Sequence, residues 1–221
     1  MFEHVEVDLG YGDLECSTSE TGRIYLHPSE DQVYPSITTV LKVLSEEGIA
    51  KWRKRVGEEE ANRISYRAST RGTAVHEIVE KYIDNREDYS SGYMPNIVND
   101  FRNLKPILDQ RIGKVYAQEV PLFSDHLGVA GRVDCIAEFD GKLSVIDFKT
   151  SRRLKSYNHI TNYFQQEAFY AVAWEERTGM PIQQLVTLIV TDDGETQVFI
   201  EDRDDWVNEL KETIKLYHEK M

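Results

Sequence analysis

Apolar residues recur along this chain with two different periods, and the change from one to the other marks out its architecture. From Ser36, a hydroxyl residue suited to cap a helix N-terminus, the run ITTVLKVLS and then the stretches 47–57, 58–69, 71–84 and 95–111 carry apolar positions three and four apart. Ala74, Val75, Ile78, Val79 and Tyr82 form one stripe, and Ile97, Phe101, Leu104 and Leu108 another. Past residue 112 the period drops to two. The segments 114–124, 127–140 and 142–150 predict three consecutive antiparallel strands, the last two joined at Asp140-Gly141, a dipeptide suited to a tight hairpin turn. A helix over 159–178, strands near 184–191 and 196–200 and a helix over 204–219 complete the pattern. The first 35 residues read as a hairpin or irregular arm. The sum is an α/β fold, a mixed central sheet flanked by helices, expected as one domain: an arm over 1–35, a helical region over about 36–112 and a core over about 113–221.

Composition narrows this little. With 221 residues, 40% hydrophobic and 29% charged, the chain suits one soluble globular domain. It has no signal-like start and no apolar run long enough to span a membrane, so a cytoplasmic protein is expected. Cys16 and Cys135 are too few for a zinc site alone or for the four thiolates of an iron–sulfur cluster. No G-x-x-x-x-G-K-[ST] phosphate loop is present, so ATP is not expected as a cofactor.

The net charge of −13 opposes nucleic-acid binding only if it is spread evenly. It is not. Acidic residues crowd 84-DNRED-88, 192-DDGE-195 and 201-EDRDD-205, whereas 51-KWRKR-55 is basic around Trp52. Arg63, Arg67 and Arg71 recur every four residues and share one helical face. That stripe suits a phosphate backbone; taken alone, it equally suits a solvated face with partners such as Glu59.

The chemistry concentrates in 141-GKLSVIDFKTS-151. In a strand, residues i and i+2 point to one side, so Asp147 and Lys149 project together, a costly pairing in an apolar strand unless it has a task. Asp134 sits across the hairpin, and strands lie about 4.8 Å apart, so two carboxylates can share a hard cation with an ammonium facing the same point. Such equipment suits attack on a phosphodiester. D-x-K alone reads more simply as a salt-bridge cluster.

Further residues change the balance. The strings 131-GRVD-134, 145-VIDFKTS-151 and 166-QEAFY-170 resemble the G-x-x-D, D-x-K-T and Q-x-x-x-Y motifs of RecB-like nucleases of the PD-(D/E)xK superfamily, and 72-GTAVHEIVE-80 resembles their histidine motif. The segment 35-PSITTVL-41 resembles the start of the mitochondrial genome maintenance type exonucleases and their phage relatives. Val133 stands where the superfamily name has proline, as in many RecB-like members. The resemblance implies the PD-(D/E)xK core with an N-terminal helical arch, and a Mg²⁺- or Mn²⁺-dependent exonuclease on single-stranded DNA.

It further implies metal ligation by His76, Asp134, Asp147 and the Phe148 carbonyl, with Lys149 positioning water and Gln166 supporting it. DNA contacts are expected from Ser36, Trp52, Arg63, Arg67, Arg71, Arg132, Thr150, Ser151 and Tyr170. Tyr170 reads equally as packing, Glu80 as structural, Gln165 as facing elsewhere, and Glu119 as a weaker candidate because its strand face is undetermined. A monomer from a phage or bacterial source, working in DNA recombination, repair or replication, is expected, with any helicase or recombinase a separate protein. The alternatives are a structure-specific or duplex-cutting endonuclease of the same superfamily and a DNA-binding subunit that no longer cuts.

Overall fold

The computed structural model describes residues 1–29 and 31–221. The arm folds into a small antiparallel sheet of β1 (Cys16–Ser19), β2 (Gly22–Leu26) and β3 (Val33–Pro35). Residues 1–15 run separately, with His4 and Val5 bridging to Val115. Helix α1 (Ile37–Leu41) starts at Ser36, whose hydroxyl accepts the Thr39 N–H. It leads through a 3₁₀ turn to α2 (Glu46–Val56).

The expected helices 58–69 and 71–84 are one element, α3 (Glu58–Ile83), 26 residues long. The stretch Ser69-Thr70-Arg71-Gly72 contains no proline, so nothing forces a break. Residues 62–70 of α3 are exposed on every side, whereas Val75, Ile78, Val79 and Ile83 are buried against the next helix, α4 (Pro95–Arg111), and the main sheet.

That sheet has the order β4 (Ile112–Ser124), β5 (Val129–Phe139), β6 (Lys142–Ser151), β7 (Gln184–Thr191), β8 (Thr196–Asp202). The β4–β5–β6 meander is antiparallel as expected, and Asp140 and Gly141 take φ of 53° and 77° in its second turn. Between β6 and β7 the chain crosses over through α5 (Thr161–Thr178), which makes that pair parallel. The last helix, α6 (Arg203–Lys220), packs on α5.

Alternation along the strands fills two cores. Val145, Leu185 and Ile189 face α1, α5 and α6, while Ile146, Val186 and Val190 face α3 and α4. Full burial of each such side chain contributes about 1.5–3 kcal/mol. No helix among the described residues is long and apolar enough to cross a membrane.

Candidate active site

The β5–β6 ladder runs from Phe139↔Lys142 to Cys135↔Ile146 and stops there. Continued by one step, this register sets Asp134 opposite Asp147, the place where the strands part. The Phe148 N–H, freed from the ladder, donates to Asp134 Oδ2 at 2.9 Å. The Asp134 carboxylate thus takes the place of a strand partner, and Asp134 also lines a cleft of about 470 Å³.

Helix α3 crosses this end of the sheet and places His76 Nδ1 3.4 Å from Asp134 Oδ2. Gly72, one turn before His76, also lines the cleft, and a Cβ there would make an ordinary contact with Thr150 Oγ1 at 3.5 Å. Glu119 completes a trio with His76 and Asp134 whose donor atoms lie within 4.8 Å of one another. Its neighbours Gln118 and Val120 pair with Cys135 and Val133, and Glu119 itself adopts φ 48°. Two register shifts earlier in β4 and the left-handed backbone of Glu119 itself interrupt simple alternation here, and Glu119 lines the cleft while Gln118 donates to Asp84. Sequence alternation, blind to those shifts, ranks Glu119 too low.

Behind the trio lies a drier cluster. Asp147 is 1% exposed, and its carboxylate forms an ion pair with the Lys149 ammonium yet takes no well-aligned hydrogen bond. Lys149 Nζ also sits 3.5 Å from Gln166 Oε1 and 5.2 Å from the centre of the Tyr163 ring. Burial pushes the Asp147 carboxyl up to about 6, Lys149 opposing and Asp134 assisting. Burial alone would lower Lys149, but Asp147 and Asp134 outweigh it and hold the amine charged. Glu119 is pushed up to about 7 by burial, then by Asp134 and Glu80.

One imidazole and several carboxylate oxygens, those of Asp147 without a hydrogen-bond partner and the Asp147 and Glu119 carboxyls raised by burial and then by neighbouring carboxylates, are a donor set that fits a hard divalent cation. Crowded like charges are stabilised when a cation sits among them. His76, Glu119 and Asp134 are the residues already gathered; Asp147 adjoins them through Asp134 and is held by Lys149.

The remaining expected contacts divide. Arg67 and Arg63 lie on the exposed part of α3, Arg63 paired with Glu60, and Trp52 is half-buried on α2. Arg71, on the same stripe, turns inward: Nε donates to Asp100 Oδ2 at 2.7 Å, Nη1 donates to the Ser151 carbonyl at 3.1 Å, and Asp192 pairs with it as well. Arg132 is held by the Glu119 carbonyl and Asp13. Ser151 Oγ donates to the Arg153 carbonyl at 2.7 Å, and the Tyr170 hydroxyl donates to the Arg132 carbonyl at 2.7 Å. Ser36 is 2% exposed, its hydroxyl engaged by Thr38 and Thr39. For these five the structure shows protein-bound polar groups rather than free donors. Thr150 is half-buried beside Gly72. Gln165 faces away, accepting from the Thr213 hydroxyl at 2.7 Å, and Glu80 lines the cleft.

The human protein mitochondrial genome maintenance exonuclease 1 is 24% identical over 188 residues, covering 70% of this chain and 52% of its own length. Its mouse counterpart is 26% identical over 178 residues, covering 76% of this chain and 52% of its own. The chain therefore spans about half the length of these relatives. A crystal structure of a candidate exonuclease from Eubacterium rectale aligns over 68% of this chain and 65% of its own, at a TM-score of 0.45 and 12% identity. The family model described as PD-(D/E)XK nuclease superfamily matches residues 45–221, a span that takes in His76, Glu119, Asp134, Asp147, Lys149 and Gln166. Most of the chain and the whole cluster lie within that match, and the protein belongs to the PD-(D/E)XK nuclease superfamily.

Proposed function

We propose that this nuclease is a Mg²⁺- or Mn²⁺-dependent exodeoxyribonuclease that degrades single-stranded DNA from an end, in recombination, repair or replication. The observation that carries the reading is the junction of two clusters at Asp134: His76 and Glu119 on the cleft side, Asp147, Lys149 and Gln166 behind. His76, Glu119, Asp134 and Asp147, with the Phe148 carbonyl, would hold the cation, which supplies positive charge to the phosphoryl oxygen and makes water more acidic. Lys149, charged and held between Asp147 and Gln166, orients the attacking water and offsets the charge that develops on the phosphate. Asp134 keeps the strands apart so that a phosphate can reach this point.

Single-strand preference is supported by the projecting part of α3. Its exposed Tyr66 and Arg67, with the basic run of α2, suit stacking and backbone contact, and we read α2 and α3 as an arch that a strand passes beneath. The relatives' printed name, exonuclease, supports action from an end.

The test is degradation of labelled linear single-stranded DNA, linear duplex and a covalently closed single-stranded circle in Mg²⁺, with Lys149→Ala as control. The reading expects loss of the linear single strand only, abolished by the substitution. Cutting of the circle would establish an endonuclease instead, and cutting of nothing a DNA-binding subunit.

A further inference from the structure

The cleft has two walls. One presents His76, Glu77, Glu80, Glu119 and Asp134; the other is built by the arm and α1, from Arg23, Tyr25, Ser36, Ile37 and Thr38. Two arginines line it, and they differ. Arg132 is committed to the Glu119 carbonyl and the Asp13 carboxylate. The Arg23 side chain takes part in none of the hydrogen bonds or ion pairs found among the described residues.

The backbone of Arg23 is the opposite of free. Its N–H donates to Thr39 Oγ1 at 2.9 Å, and its carbonyl accepts from the Ser36 N–H at 2.8 Å and from Thr39 Oγ1 at 3.2 Å. Gly22 makes the approach possible: at φ +128°, a Cβ there would fall 2.4 Å from Thr39 Cγ2. Ser36 and Thr39 are 2% and 5% exposed, so the main chain of Arg23 is fixed to a buried support. A fixed backbone carrying a guanidinium with no partner among the described residues, in the lining of an acidic cleft, is an arrangement that ion pairing among those residues does not explain.

We propose that Arg23 is a phosphate clamp for the nucleic-acid strand. Its guanidinium takes the backbone phosphate next to the one being cut, on the wall facing the metal ligands. The proposal rests on the nuclease reading above. A strand in this cleft meets carboxylates beyond those a cation neutralises, Glu77 and Glu80 among them, in a chain of net charge −13. A planar guanidinium pairs two oxygens of a phosphate and reads no base, so such a clamp holds any sequence.

The test is binding of a fluorescent single-stranded oligonucleotide by anisotropy, in Ca²⁺ so that it is not consumed, across a salt series. Arg23→Gln should weaken binding roughly tenfold and reduce the slope of log affinity against log salt by about 0.7, the value for one phosphate contact on a single strand. Arg23→Lys should keep the wild-type slope. Methylphosphonate placed one phosphate at a time should weaken wild-type binding sharply at one position beside the cut site, and that effect should vanish in Arg23→Gln. An unchanged slope in Arg23→Gln, or a methylphosphonate effect that persists in it, overturns the clamp. If the wild-type protein cleaves DNA while Arg23→Gln binds like wild type, the clamp alone fails; if the wild-type protein binds no single strand, the substrate reading fails and the clamp with it.

Discussion

Arg71 separates a structural from a DNA-binding origin for the arginine stripe. Its guanidinium joins α3 to α4 through Asp100, to the end of β6 through the Ser151 carbonyl, and to the β7–β8 turn through Asp192. The Asp100 side chain is 7% exposed, so Arg71→Ala strands a buried carboxylate, a loss that typically costs about 3–5 kcal/mol. Asp192, 52% exposed, adds at most about 1 kcal/mol. The lower value, about 3 kcal/mol, allows for water entering the truncated site; in a chain of this size it lowers the melting temperature by roughly 6–12 °C. Urea unfolding followed by tryptophan fluorescence measures the loss. The double substitution Arg71→Met with Asp100→Leu should recover most of it, because both charges are removed together. A cost below about 1 kcal/mol, combined with weakened DNA binding by Arg71→Ala, would refute the inward assignment and return Arg71 to the DNA-facing stripe.

Three further expectations follow from other parts of the structure. Glu119→Ala should weaken Mn²⁺ binding, read by isothermal calorimetry, by about tenfold or more, and an unaltered affinity would remove Glu119 from the ligand set. Glu167 is fully buried, accepts a hydrogen bond from Thr187 and is driven well above its ordinary value of 4.5 by burial and then by Asp147. The folded state therefore keeps a proton that the unfolded chain loses, so this group's contribution declines as pH rises from about 4.5, by about 1.4 kcal/mol per unit. Glu167→Gln should lessen that decline in the metal-free protein between about pH 5 and 7, whereas identical slopes would mean that Glu167 ionises normally. Arg63→Glu with Arg67→Glu should weaken single-strand binding by anisotropy without moving the melting temperature; undiminished binding would reject the arch as a DNA surface.

The parts of this molecule that the sequence discloses are those governed by local rules. Period-two segments and the Asp140-Gly141 turn disclose the meander, and with it the opposition of Asp134 and Asp147. The i, i+2 relation discloses the Asp147–Lys149 pair. Other features depend on contacts distant in sequence. Helical spacing shows that Arg63, Arg67 and Arg71 share a face, but not that Asp100 and Asp192 wait opposite one of them. The continuity of α3 through Gly72, a weak helix former, rests on the packing of that helix against α4 and β6, elements distant in sequence. Glu119 owes its place to irregularities of β4 that no alternation pattern records.

The central claim is that one site binds the cation through Asp134 and serves the attacking water through Lys149. Its most direct test is Mn²⁺ calorimetry alongside cleavage of linear single-stranded DNA for Asp134→Asn and Lys149→Ala. Asp134→Asn should lose both metal binding and cleavage; Lys149→Ala should still bind Mn²⁺ while cleavage falls by about a thousandfold, the scale of losing one preorganised charge at a transition state. Cleavage by Lys149→Ala at the wild-type rate, or full Mn²⁺ affinity in Asp134→Asn, would contradict the account.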